Sequence, residues 1–370
     1  MRVLVAPDEF AGMLTAVEAA DAIADGWRRT AGDEITTVPM GEGGPGFVDV
    51  VYAAVGGELL AATVRGPLGS PVPATLLVAG HTAYVESAQV CGLALLPSAG
   101  AVPRGGVVEE VSTYGVGELV TEAVAAGARR IVVGVGGSGS NDGGAGLLAA
   151  LGATSEPAGA LTASVAGLAE LTGVELGPAR ARVAGIELVA ASDVDNPLLG
   201  LRGTTNVFGV QKGLGADRLV DVDGALTRFA HLAGREPADA KGAGAGGGLG
   251  YGVLLVGGRI EPGFAFVADT VGLDDAVGAA DVVVTGSAKL DWQGVSGNVV
   301  AGIAQLAGRA MRPCIVIAGD VQVGARELRA KGIESAYSLV ELAGTAAAGG
   351  DPVEAVATVA ARVARTWSRR

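Results

Sequence analysis

The chain has 370 residues, 49% of them hydrophobic and 18% charged, and its 26 Lys and Arg against 39 Asp and Glu give a formal net charge of −13. That length exceeds what one hydrophobic core usually organises, so two domains are expected. The acidic balance would repel a polyphosphate backbone, which argues against nucleic acid as the main partner.

No signal-peptide pattern opens the sequence, and no uninterrupted apolar run reaches the about 18 residues of a membrane span. The cysteines, Cys91 and Cys314, stand far apart in apolar settings. Buried thiols in a reducing, cytoplasmic compartment are therefore expected. His81 and His231 are too isolated for a His-based metal site.

In chain order, residues 2–6 read as a short buried strand stopped by Pro7-Asp8. Thr15 and Glu18 are spaced as a capping box, and Val17, Ala20, Ile23, Ala24 and Trp27 follow at helical spacing, with Arg28 and Arg29 at the end that suits cations. Asp8 thus lies in a strand-to-helix loop, which is a site position and equally a common place for a turn or cap residue. Val38 to Gly46 then forms a glycine-dense loop that opens a helix over 48–55, and its backbone can approach a ligand closely. From residue 61 the pattern shifts to successive strands with tight turns, 62–65, 72–78 and 82–86, so a domain boundary is expected here. Glu86 ends the last of them, a position where an acid is usually just solvated.

A helix over 115–126 stops at Gly127, and 130–135 reads as a strand buried on both faces. The run Gly134-Val135-Gly136-Gly137-Ser138-Gly139 satisfies G-x-G-x-x-G. The turn nevertheless continues through Ser140-Asn141-Asp142-Gly143 before a helix starts, and no acid stands ready for a ribose, so a dinucleotide site is rejected. The stretch fits a phosphate or substrate cradle better: Gly137 and its neighbours for close approach, Ser138 and Ser140 as hydroxyl donors, Asn141 or Asp142 at the helix N-terminus.

Residues 153–185 carry little periodicity. The apolar run 185–190 then predicts a buried strand that ends at Asp193, Asp195 and Asn196, where open α/β sheets place their ligands. Two carboxylates two residues apart, an Asn, a rigidifying Pro and the downstream Gln211-Lys212-Gly213 can hold a hydrated cation and an anionic group together; a bare D-x-D is also compatible with surface decoration. A helix is expected over 217–233, followed by the glycine loop GAGAGGGLG, a type of loop that is a packing device as often as a ligand site. Apolar strands over 280–285 and 314–318 flank a helix over 299–311 as a βαβ unit, and a strand over 334–339 and a helix over 352–367 continue the alternation.

Taken in order, APD-x-F, GGSGSNDGGAG, DVDNPL with its RG and VFG-x-QKG, GAGAGGGLG and TG-x-x-x-LD resemble the type I glycerate kinases along nearly the whole chain. The resemblance implies an α/β fold of two domains: a discontinuous Rossmann-like parallel α/β domain from both chain ends, residues 1–62 plus 265–370, and an inserted mixed α/β domain over 63–264. It implies ATP- and Mg²⁺-dependent phosphorylation of glycerate or a related small hydroxy acid in a cleft between domains. On that reading Asp193, Asp195 and Lys212 form the catalytic set, with Asp193 and Asp195 as metal ligands, Lys212 near phosphate and Asp193 as general base. Asp8, Gly137, Ser138, Asn141, Asp142, Asn196, Gln211 and Asp291 are then substrate- or phosphate-binding. The partner is a small acidic molecule, with no nucleic acid and no membrane, and a homodimer is also in view.

Several motif positions depart from the family pattern. Where APDSFKGSL is usual, Glu9, Ala11 and Met13 replace a Ser, a Lys and a Ser. Where PMADGGEGT is usual, Glu42, Pro45 and Phe47 replace an Asp, a Glu and a Thr. TGEGRLD becomes TGSAKLD, with Ser287 for the Glu and Lys289 for the Arg, and Asn298 stands where a Lys is common. A lost cation at a desolvated anion site is costly, and Lys does not replace the bidentate fork of Arg. The second reading is therefore a catalytically degenerate protein of this fold with a ligand-binding or regulatory role.

Overall fold

The computed structural model describes residues 1–99, 102–103, 106–292, 299–342 and 350–368, so Asn298 lies outside the described residues. The chain forms two compact units, one of Met1–Glu42, Asp49–Val55 and Phe264–Arg370, the other of Gly43–Val48 and Gly56–Gly263. In chain order the strands are β1 (Arg2–Val5), β2 (Glu34–Thr37), β3 (Glu58–Arg65), β4 (Pro71–Ala79), β5 (Thr82–Glu86), the two-residue β6 (Ser98–Ala99) and β7 (Val102–Pro103), β8 (Arg130–Gly134), β9 (Thr154–Glu156), β10 (Gly173–Glu175), β11 (Glu187–Ala191), β12 (Arg259–Glu261), β13 (Val282–Leu290), β14 (Cys314–Val321) and β15 (Ile333–Ser338).

The first unit is built on a fully parallel sheet in the order β15-β14-β13-β1-β2. From β1 the chain steps to β2 on one side, whereas β13, β14 and β15 step to the other, so the winding reverses between β1 and β13. Val3, Val5, Val282, Val284, Ile315 and Ile317 line one face and pack against helices Ala16–Arg28 and Pro352–Trp367. The alternate residues Leu4, Val283 and Val316 are equally buried, as strands covered on both faces require. Helix Ala16–Arg28 starts with the expected capping box: Thr15 Oγ1 accepts from the Glu18 N–H at 3.2 Å and the Glu18 carboxylate accepts from the Thr15 N–H at 2.9 Å.

One strand is longer than its sequence pattern suggests. The apolar run stops at Thr285, but β13 continues to Leu290 because the parallel ladder with β14 supplies backbone partners through Gly286↔Ile317, Ser287↔Ala318 and Leu290↔Val321. The Ser287-Ala288-Lys289 segment is therefore strand, not a turn.

The second unit holds a six-stranded mixed sheet in the order β12-β11-β8-β5-β4-β3. β3, β4 and β5 are an antiparallel meander, and β5, β8, β11 and β12 run parallel. Its core gathers residues of helices Tyr114–Ala125, Ala145–Ala150 and Leu219–Ala233. The weakly periodic stretch holds short helices and the antiparallel pair β9–β10. Cys91 and Cys314 are free and buried. Among the described residues no helix is long and apolar enough to cross a membrane.

Candidate functional site

In the second unit the register aligns the carboxyl ends of the parallel strands in one row, Glu86, Gly134, Ala191 and Glu261. The loops that leave β8 and β11 are therefore neighbours, and the cradle at Gly137–Asp142 stands beside the Asp193–Asn196 stretch. Backbone bonds join the strand ends and the neighbouring glycine loop: the Ser87 N–H donates to Gly134 O at 2.9 Å, Val135 to Ala191 O at 3.3 Å, and Gly244 to Asn196 O at 2.9 Å.

Within the cradle, most of the expected ligand groups are turned inward. Asp142 is fully buried, and its carboxylate accepts from the Thr113 N–H and Oγ1, both at 2.9 Å, from the Gly144 N–H at 3.0 Å and from the Gly146 N–H at 3.2 Å. Burial pushes its pKa up against those bonds. Asp142 thus anchors the start of helix Ala145–Ala150 instead of facing solvent. The Ser138 and Ser140 hydroxyls lie 2.6 Å apart, and Ser140 Oγ donates to Gly246 O at 2.9 Å.

That carbonyl comes from the second glycine loop, where Gly246, Gly247 and Gly248 have φ of 59°, 70° and 93°. A Cβ on Gly247 would stand 1.8 Å from Ser140 O, so only glycine lets the two loops meet. The loop GAGAGGGLG is a packing device for the cradle. Asn141 is buried as well and donates from Nδ2 to Thr205 Oγ1 at 3.0 Å.

Lys212, expected near a phosphate, has only 6% of its surface exposed and donates from Nζ to Ser140 O at 2.8 Å. Burial brings its pKa down to about 8, opposed by Cys91 and Asp142 nearby. Of the residues expected in this unit's site, Gly137, Asp193, Asp195 and Gln211 face solvent. Asp195 pairs with Lys241 at 2.8 Å, both side chains largely exposed, and Asn196 donates from Nδ2 to Arg202 O at 2.8 Å. Glu86 is buried and accepts from the Val48 N–H at 3.3 Å, so it is not the solvated strand-end acid its sequence position suggests.

Asp8 and Asp291 belong to the first unit. Asp8 follows β1, its N–H donating to Gly286 O at 2.9 Å, and Asp291 follows β13 and pairs with Lys289 at 2.9 Å. The pKa of Asp8 is pushed up to about 7, by burial first, with Glu42 and Glu9 adding to it against the Glu9 N–H bond. Among the described residues there is no group of three or more His, Cys, Asp and Glu able to hold a metal ion. Thr113, Thr205 and Cys91, whose Sγ lies 3.6 Å from Ser138 Oγ, were not expected here; no local spacing marks them, because each meets the cradle across a long stretch of chain.

Comparison with known proteins gives the same picture over the full length. The Glycerate kinase family model matches residues 3–368. An uncharacterized protein of Mycobacterium tuberculosis is 41% identical over 352 residues, covering 93% of this chain and 86% of its own. The glycerate kinase of Bacillus subtilis is 36% identical over 350 residues, covering 92% and 90%. A crystal structure of a candidate glycerate kinase 2 from Salmonella typhimurium LT2 superposes with a TM-score of 0.78 at 32% identity, covering 99% of this chain and 98% of that one. With a family model matched over residues 3–368, a relative 36% identical across 92% of the chain and a solved structure that superposes over 99% of it, this chain belongs to the glycerate kinase family.

Proposed function

We propose that the chain is a cytoplasmic kinase that uses ATP and Mg²⁺ to phosphorylate glycerate or a related small hydroxy acid. The observation that carries this reading is the row of strand ends Glu86, Gly134 and Ala191, which sets a glycine-rich loop beside a pair of exposed carboxylates on one sheet edge. Mg²⁺ is usually held by one or two carboxylates together with substrate phosphates, not by an all-protein cage. Asp193 and Asp195 match that donor count. The Asp195–Lys241 pair, 72% and 80% exposed, is of the weak, solvent-screened kind that a divalent cation can displace.

When bound, ATP supplies the phosphoryl group; the protein's part is positioning and charge. The exposed backbone at Gly137 is the element of the cradle open to a phosphate. Lys212 acts one step back, holding the Ser140 carbonyl and with it the shape of the cradle, and Asn141 and Asp142 fix the same loop from inside. Asn196 and Gln211 flank the acid pair, and Asp8 and Asp291 are assigned to substrate in the first unit.

A second reading, a family member that binds a ligand without turning it over, is favoured by one specific feature. Asp8 has the acids Glu9 and Glu42 as its charged neighbours, which disfavours an anionic acceptor there. The deciding assay is ADP release by the purified protein with ATP, Mg²⁺ and D-glycerate. Turnover that falls roughly 100-fold or more in Asp193→Ala, as expected for loss of a charge-stabilising group, supports the kinase. Absence of turnover, while ATP or glycerate still raises the melting temperature, supports the ligand-binding reading.

A further inference from the structure

We infer that Asp8 is the group that accepts the proton of the acceptor hydroxyl during phosphoryl transfer, a part that the reading by family resemblance gives to Asp193. The inference rests on the kinase reading above. Its first support is topological. In the first unit the winding of the parallel sheet reverses between β1 and β13, and at such a point the connections leaving the two strands diverge and open a crevice at their carboxyl ends, where open α/β sheets bind ligands. Asp8 stands three residues beyond the end of β1, tied by its N–H to Gly286 O of β13, so it sits on that crevice. In the second unit β5, β8, β11 and β12 step in one direction only, and Asp193 follows a strand with no reversal beside it.

The second support is the state of the carboxylate. Oδ1 accepts the Glu9 N–H at 2.9 Å, which fixes the group's orientation, and among the described residues no donor is bonded to Oδ2. A base needs a positioned oxygen with a lone pair open to the incoming proton. The side chain is partly buried, and the charged groups that bear on it are Glu42 and Glu9, both acids, so its affinity for a proton is raised into the neutral range. Asp193, by contrast, is exposed to water.

The step balances without further reagents. A bond forms between the acceptor hydroxyl oxygen and the terminal phosphorus of ATP, the bond from that phosphorus to ADP breaks with ADP keeping the electron pair, and the hydroxyl proton passes to Asp8 and then to water.

The test is the pH dependence of kcat and kcat/KM for D-glycerate with ATP and Mg²⁺, measured for the wild type, Asp8→Asn, Glu42→Gln and Asp193→Asn, each checked for folding by its melting curve. The wild type should show a limb that rises with pH about a midpoint near 7, because the base must be deprotonated. Asp8→Asn should lose roughly 10²- to 10⁴-fold in kcat, the usual worth of a general base, and lose the limb. Glu42→Gln removes a repelling charge and should move the midpoint to lower pH. Should Asp8→Asn fail to fold, the Glu42→Gln shift decides alone. A folded Asp8→Asn that keeps wild-type kcat, a limb that vanishes in Asp193→Asn and persists in Asp8→Asn, or a Glu42→Gln midpoint that stays put overturns the assignment and leaves the kinase reading standing; a wild type without turnover overturns both.

Discussion

Burying an ammonium group costs more than burying almost any other side chain, and Lys212 carries that cost at the centre of the cradle. Its Nζ donates to Ser140 O, and the nearby Asp142 and Cys91 offset only part of the desolvation, leaving its pKa at about 8 against an ordinary 10.5. The sign of the linkage follows directly. Between those two values the unfolded chain binds the proton more tightly than the folded one, so stability rises with pH across the window; below it the cost is borne in full, and above it the cost is gone. Each pH unit inside the window contributes about 1.4 kcal/mol. Thermal melts of the wild type and of Lys212→Met should therefore differ by an amount that shifts in favour of the wild type from pH 8 to pH 10. A difference that stays constant across that range would show that Lys212 titrates as it does in water.

Helix Ala16–Arg28 shows how far local pattern reaches and where it stops. Its capping box and apolar stripe were legible because their partners lie within four residues in sequence. The length of β13 was not, because its last residues are held by β14, whose pairing no spacing in the sequence reveals. Gly26 belongs to the second kind. In a helix interior, glycine costs about 1 kcal/mol relative to alanine, so replacement should help. Here a Cβ would stand 2.1 Å from Ala357 O on helix Pro352–Trp367, and overpacking of that kind costs about 1–3 kcal/mol or more. Gly224, in helix Leu219–Ala233, has nothing within 4 Å of its Cβ position. Denaturant titration should find Gly26→Ala destabilised and Gly224→Ala stabilised by about 0.5–1 kcal/mol; stabilisation in both would mean that the two packed helices separate at little cost.

Across the whole molecule, the order of short motifs along the sequence was enough to place the chain in its family, because that order is read without knowing which side chains meet. Which side chains of those motifs face solvent was not legible. Ser140 is committed to Gly246 O across 106 residues and Asp142 to Thr113 across 29, and neither distance leaves a trace in local spacing. The net charge of −13, by contrast, is read directly from the sequence and acts on the entire fold. Excess like charge destabilises a compact state by self-repulsion. Raising ionic strength from about 0.01 M to about 0.15 M shortens the screening length from about 30 Å to about 8 Å, which removes most repulsion between separated acids. Contact pairs such as Arg29 with Glu354, or Arg259 with Glu187, are exposed and contribute little to lose. The melting temperature should therefore rise with potassium chloride over this range, and by the same amount with sodium chloride, since the effect is screening and not site binding. A fall would mean that these ion pairs act as a cooperative network strong enough to outweigh the repulsion of the whole chain.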